Sequence, residues 1–333
     1  MKVLFIGGTG IISSACSDLA VDRGLDLYLL NRGTSFRPAH PQAHHLFGDI
    51  RQPETIRELL EAHTFDVVVD WVAYIPEHVA ADLRLFRDRI GQYIYISSAS
   101  AYQTPPEQLP VTEETPLDNP VWEYSRNKIA CEQYLWNAYK HQGFPVTIVR
   151  PSHTYDRTHL PIHGGYTTLE RMRQGKKVIV HGDGSSLWTL THHTDFARGF
   201  LALLGNPQAI GEAFHITSDE HLTWNQIFAL TAQAAGATPE LVHIPSELIA
   251  AYDPEWGNGL LGDKMHSMTF DNSKIKRLAP GFQALIPYAS GVKEVVAWLD
   301  AHPAQQHIDA SFNAMVDRIL AAYECAWPPP SDS

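Results

Sequence analysis

Apolar positions in the first 150 residues fall into two alternating rhythms. Short β-branched or aromatic runs at 2–6, 26–30, 45–47, 66–71, 93–97 and 146–150 predict strands. Between them, apolar residues recur with helical spacing at 12–23, 54–62, 78–89 and 127–141. Strands alternating with helices build βαβ units around a parallel sheet, so the predicted fold class is α/β with a doubly wound, Rossmann-type sheet. Thr104–Pro120 interrupts the rhythm with five prolines and four acidic residues, which neither a strand nor a helix sustains, and reads as a loop. After Arg150 the alternation loosens around glycines 164, 165, 175, 182 and 184, and helical spacing returns at 195–204 and 224–236. The run at 212–217 reads as one more strand, returning to the first sheet.

Charge narrows the partners. The 333 residues carry 25 Lys plus Arg against 37 Asp plus Glu, a net charge of −12. Phosphate backbones and anionic lipid are recognised through clustered cations, so neither nucleic acid nor a membrane surface is an expected partner. Cys16, Cys131 and Cys325 are too far apart in sequence for a pairwise metal motif or a disulfide framework, which suits a reducing compartment. The apolar run at 3–6 is too short for a signal peptide and passes straight into glycines, and no stretch approaches the ~18 apolar residues of a membrane span. A cytoplasmic location is expected. Eighteen histidines include the pairs His44-His45 and His192-His193, but no His-Glu-x-x-His spacing occurs and no metal is expected.

The first strand runs into Gly7-Gly8-Thr9-Gly10-Ile11-Ile12-Ser13 and then into a helix. Glycines at such a turn let the backbone approach a pyrophosphate, and the helix N-terminus supplies N–H groups and a positive dipole end. The turn therefore reads either as a dinucleotide site or as a plain tight connection. Its last glycine is replaced by Ser13, expected to widen the helix–sheet contact slightly without removing a phosphate donor. The second strand ends in Asn31-Arg32-Gly33, with no carboxylate for the ribose hydroxyls. Arg32 could pair with a 2′-phosphate, favouring NADP over NAD, or could be a solvated loop residue. Asp49, followed by Ile50, could accept from an adenine amino group or serve as a turn carboxylate. Val72 and Ala73, past the fourth strand, are expected in the cofactor wall. The division predicted is a dinucleotide-binding domain at 1–155 with a returning segment at about 190–220, a smaller mixed α/β substrate lobe at 156–189 and 221–327, and a flexible tail at 328–333.

Tyr124 and Lys128 stand four apart, on one face of any helix running through both. A phenol near ~10 beside an ammonium is drawn toward phenolate, as proton exchange with an alcohol or ketone requires. The spacing by itself is common. Upstream, Ser97-Ser98-Ala99-Ser100-Ala101-Tyr102 ends the fifth strand at the carboxyl edge, where doubly wound sheets bind ligands.

The glycine turn, the serine-rich strand end, Tyr124-x-x-x-Lys128, Arg150-Pro151, Gly182-Asp183-Gly184 and the 211–218 strand follow one another in an order that resembles the extended short-chain dehydrogenase/reductase family, in its epimerase/dehydratase branch. The resemblance covers most of the chain. It implies Ser98 as the hydroxyl partner of the reacting oxygen, Tyr124 as acid/base, and Lys128 as holder of the nicotinamide ribose that also lowers the tyrosine's pKa. It implies an NAD(P)-dependent oxidoreductase or epimerase acting on a secondary alcohol or ketone of a sugar-like substrate, and a homodimer paired through helices 78–89 and 127–141. Two departures matter. Sugar 4,6-dehydratases carry Asp-Glu after the Ser/Thr position, where this chain has Ala99-Ser100, so elimination of water is not expected. Trp188 stands where nucleotide-sugar epimerases place a diphosphate-gripping arginine, and a second arginine motif near the C-terminus has no counterpart. An indole cannot replace a bidentate clamp, so nucleotide sugars are expected to bind poorly unless Arg171 or Arg173 substitutes. Ser100, Trp122 and Trp188 are the candidate substrate contacts. The alternative is a non-catalytic, dinucleotide-dependent regulatory or RNA-associated relative, against which the complete Ser98, Tyr124 and Lys128 set and the negative charge both count.

Overall fold

The computed structural model describes residues 1–326; the tail expected at 328–333 lies outside them. Strands β1 (Lys2–Ile6), β2 (Asp26–Asn31), β3 (His44–Phe47), β4 (Val67–Asp70), β5 (Gln92–Ile96), β6 (Val146–Pro151) and β7 (Ala213–Ile216) form one parallel sheet in the order β7-β6-β5-β4-β1-β2-β3. The doubly wound sheet predicted from the alternation is thus the observed fold. Alternation within β1 shows why both faces are covered. Val3 and Phe5 pack with α1 (Ile11–Asp22) and with Phe196 and Phe200 of the helix His193–Phe200. Leu4 and Ile6 point the other way, into a core shared with Val79 and Leu83 of α3 (Pro76–Phe86) and Cys131 and Leu135 of α4 (Glu123–Gln142). Helix α2 (Pro53–Glu61) adds Ile56 and Leu60 to the same side.

β1 pairs with both β2 and β4, so the chain reverses its strand order there, and a crevice opens at the carboxyl ends. The returning strand, β7, pairs with β6 at the sheet edge. The lobe beside the sheet is built on the parallel pair Lys177–His181 and Glu240–Ile244 with helices packed around it. Two smaller pairs, His153–Tyr155 with Leu190–His192 and Leu187–Trp188 with Leu222–Thr223, carry chain between the lobe and the sheet. Among the described residues no helix is long and apolar enough to cross a membrane, and no three His, Cys, Asp or Glu side chains form a group able to hold a metal ion.

Candidate active site

The glycine turn leaves β1 at Gly7, whose φ of +88° is left-handed and whose missing Cβ would lie 2.5 Å from Val72 Cγ1. Helix α1 then starts at Ile11, with no side-chain hydrogen bond at its Gly10 cap. The N–H groups of its first turn have no intrahelical acceptor, and those of Ile11 and Ile12 are therefore offered to a ligand. Ser13 is not the neutral replacement expected. Its hydroxyl donates to Gly7 O at 2.9 Å and accepts from Gly10 N–H at 2.7 Å, so it closes the turn and occupies one amide that a phosphate could have used. At the end of β2, Asn31 Oδ1 accepts from Gly33 N–H, whereas Arg32 is exposed and pairs with no group among the described residues. Asp49 Oδ1 accepts from Arg51 N–H at 2.9 Å, an Asx turn that uses one oxygen and leaves the other, while Ile50 is buried beneath it.

The fifth strand delivers Ser98 into a short 3₁₀ turn, and helix α4 begins at Glu123, four residues earlier than its apolar spacing suggested, placing Tyr124 in its first turn and Lys128 one turn on. The two lie on one face, and the Ser98 hydroxyl acts on the Tyr124 phenol in the direction that lowers its pKa. Ser98 also meets the Ser100 hydroxyl at 2.9 Å, and Ser125 donates to Ser100 at 2.7 Å. The charge logic departs from expectation. Burial pushes the Tyr124 phenol up to about 12 against that effect of Ser98, and Lys128 does not offset the rise. Lys128 Nζ instead donates to Ala73 O at 2.7 Å and Ile96 O at 2.8 Å, inside a ring of Tyr74, Tyr95 and Tyr124, 5.8 Å from the last ring's centre. Burial in turn pulls the ammonium down to about 8.

Ser98, Ser100, Tyr124, Trp122 and Trp188 line one cavity of about 270 Å³. Trp122 and His153 also border a second, outer cavity of about 720 Å³ walled by Trp224, Trp256, Phe228 and Phe312. Trp122 packs against Tyr124 with ring centres 5.0 Å apart, and Trp188 Nε1 donates to His153 Nδ1 at 3.1 Å. Neither fallback clamp is free: Arg171 donates to Lys177 O, Asn313 and Asp317, and Arg173 pairs with Asp300. Four contributors were not named from the sequence. Asn119 donates to Ser100 O and Gly262 O and accepts from Trp122 N–H, pinning the strand end, the start of α4 and the 260s segment together. That segment brings Asp263 and Lys264 to the inner cavity. No local pattern marks Asp263 and Lys264, which meet the site from about 140 positions away; Asn119, in the 104–120 loop, and His153, directly after Arg150-Pro151-Ser152, sit in stretches already singled out.

The model of the NAD-dependent epimerase/dehydratase family matches residues 3–217, the whole span from β1 past β7. The chain belongs to that family. It is 30% identical over 257 residues to the chloroplast stem-loop binding protein of 41 kDa b of Arabidopsis thaliana, a match covering 73% of this chain and 65% of that protein. It is 32% identical over 168 residues to UDP-glucose 4-epimerase of Lactobacillus helveticus, covering 45% of this chain and 51% of that one. The chain thus matches between half and two thirds of the length of these relatives. A UDP-glucuronic acid 4-epimerase from Bacillus cereus, solved with UDP-glucuronic acid and NAD, superposes with a TM-score of 0.73 at 18% identity, covering 90% of this chain and 99% of that one, and shares the fold. As an epimerase/dehydratase family member the chain is suited to a nicotinamide dinucleotide: the first turn of α1 has no side-chain cap, and a Cβ at Gly7 would strike the β4 loop. The family is NAD-dependent, and nothing in these likenesses supports the expected preference for NADP.

Proposed function

We propose that this chain is a nicotinamide-dinucleotide-dependent enzyme that oxidises, or oxidises and re-reduces, a secondary alcohol of a sugar-like substrate in the inner cavity. The observation that carries this reading is the convergence of Ser98 and Tyr124 on that cavity, with Lys128 one helical turn behind and the glycine turn across the crevice. The bound cofactor would supply a hydride acceptor. Amides at Gly8, Gly10, Ile11 and Ile12 would take its pyrophosphate, with Ser13 competing for the Gly10 N–H, whereas Gly7 and Thr9, whose N–H groups donate to Leu30 O and Gly7 O, would only shape the turn; Asn31, Asp49 and Ile50 would take the adenosine end; Val72 and Ala73 would form the wall, and Lys128 would hold the nicotinamide ribose. Ser98 would orient the substrate hydroxyl, and Tyr124, once its phenol has released its own proton to solvent, would accept the hydroxyl proton at the phenolate oxygen as the carbonyl forms and return it on re-reduction. Ala99-Ser100 offers no acid/base pair for dehydration, which favours epimerisation or net redox over loss of water. A 2′-phosphate preference rests on Arg32 alone, the one cation at the end of β2. Pairing of two copies through α3 and α4 is part of the proposal, and sedimentation would show a species of twice 37.2 kDa.

A second reading, a stem-loop RNA binder without catalysis, is favoured by the 30% identity to the Arabidopsis protein. The −12 net charge opposes it. Mass spectrometry of the small molecules released on denaturing the purified protein, together with titration of NAD and NADP into it, tests the first reading. Retained nicotinamide nucleotide or saturable binding supports it; stem-loop RNA binding with no dinucleotide affinity overturns it.

A further inference from the structure

We propose that Lys264 is the anion-recognition group of this site and that its substrate is a sugar-sized polyol bearing a single anionic group, a carboxylate or a phosphate monoester, rather than a nucleoside diphosphate sugar. The inference rests on the reading of the inner cavity as the reaction site and names its substrate class.

Lys264 ends a single π-helical turn, Leu260–Lys264, a geometry that occurs mostly as isolated turns at functional sites. Its backbone is fixed. The Lys264 carbonyl accepts from Trp224 Nε1 at 3.0 Å and His181 Nε2 at 3.1 Å, and Asn119 holds Gly262, where a Cβ would come within 2.8 Å of Trp122. Its side chain makes few polar contacts. The ammonium lies over two indoles, 5.1 Å from the centre of Trp122 and 5.8 Å from that of Trp188, and borders both cavities. Indole faces attract a cation without satisfying its three N–H donors. Among the described residues its one polar side-chain partner is Asp263 Oδ2 at 3.5 Å, longer than the ~2.7–2.9 Å of a well-made charged hydrogen bond. The ammonium is therefore positioned and partly desolvated, with donors left for a ligand.

Arg171 and the buried histidines of the cavities do not compete for that role. Arg171 is closed by three acceptors. Burial lowers the pKa of His153, His163 and His181, which leaves their rings uncharged near neutrality. Asp253 and Glu255 face the outer cavity and repel a second anion placed there. A diphosphate brings two anionic phosphoryl groups and is gripped by guanidinium forks; one ammonium beside Asp263 matches one anion.

The test is calorimetric titration of NAD-saturated protein with D-glucuronate, D-glucose 6-phosphate, D-glucose and UDP-glucose, in the parent, Lys264→Met and Lys264→Arg. At least one of the two sugars bearing a single anionic group should bind the parent, lose about 10- to 100-fold in Lys264→Met, and recover most of that in Lys264→Arg. D-Glucose should bind the parent and Lys264→Met alike, and the glucuronate and phosphate arms separate the two head groups. The proposal is overturned if neither charged sugar binds the parent, if both bind Lys264→Met as tightly as the parent, or if UDP-glucose binds more tightly than either and ignores Lys264. Matching thermal unfolding of parent and variants shows that the fold is retained. Absence of binding of both NAD and NADP by the parent would sink the underlying reading; intact dinucleotide binding with sugars indifferent to Lys264 sinks this inference alone.

Discussion

The phenol of Tyr124 is held near 12 by burial while the Lys128 ammonium, held near 8, is bonded to two carbonyls rather than to the phenol. Tyr124→Phe should leave NAD affinity unchanged and lower turnover of any alcohol the parent oxidises by ~10²–10⁴, the usual worth of positioned proton transfer; parent-like turnover would exclude the role. Lys128 gives a pH signature whose sign follows from its depressed value. Its unfolded pKa is near ~10.4, so between pH 8 and that value the unfolded chain binds the extra proton. The cost of burying the ammonium is full below 8 and relieved as pH rises, so stability should rise relative to Lys128→Met across that window, by at most about 1.4 kcal/mol per pH unit. Denaturant titrations of both proteins from pH 7.5 to 10 check it, and parallel curves would refute it. For Arg32, a charge-assisted contact of about 1.5–3 kcal/mol corresponds to one to two decades of NADP preference. Arg32→Ala should erase the preference proposed for the parent and leave NAD binding unchanged; equal parent dissociation constants for the two cofactors would place the guanidinium in solvent. The residue types of the site, Ser98, Tyr124 and Lys128, were legible because their motif is local. Which way the pKa values move was not, because burial depends on what distant chain packs above them.

At the level of elements, α4 is joined to β6 by a buried ion pair that no sequence pattern announced. Arg150 Nε and Nη2 meet Glu132 at 2.9 and 2.6 Å, with Tyr102 beneath the guanidinium at 4.8 Å. Both side chains are buried, so removing one partner strands the other's charge. Glu132→Ala should cost about 3–5 kcal/mol, read as a drop in the denaturation midpoint; a loss below 1 kcal/mol would show that water reaches Arg150. Strands were placed within a residue or two because β-branched runs end sharply at turn residues: 26–30 became Asp26–Asn31. Helix starts were less legible. Trp122, the residue before α4, lends it no side-chain cap, and Pro76 opens α3 two residues before its apolar spacing begins.

Over the whole molecule the chain enters the lobe after β6, returns for the helix His193–Phe200 and β7, and leaves again. Phe196, Phe200, Phe214 and Ile216 fill the core on one face of the sheet, so a fragment ending at 155 would expose Val3, Phe5 and Val149. Such a fragment should aggregate or lack a cooperative transition, whereas the full chain should unfold with coincident far-ultraviolet and near-ultraviolet circular dichroism curves; a soluble, cooperatively folding fragment would contradict this. Sequence rhythm revealed the returning strand but not the packing beneath it, since periodicity records which residues are buried and not against what. The cavity walls have an optical consequence as well. Four of the eight tryptophans, Trp122, Trp188, Trp224 and Trp256, border the two cavities, and an ammonium rests over the first two. Intrinsic emission is therefore weighted toward the walls of the site, and a ligand that draws Lys264 away from the indoles, or displaces water beside them, changes the wavelength and yield of that light with no label attached.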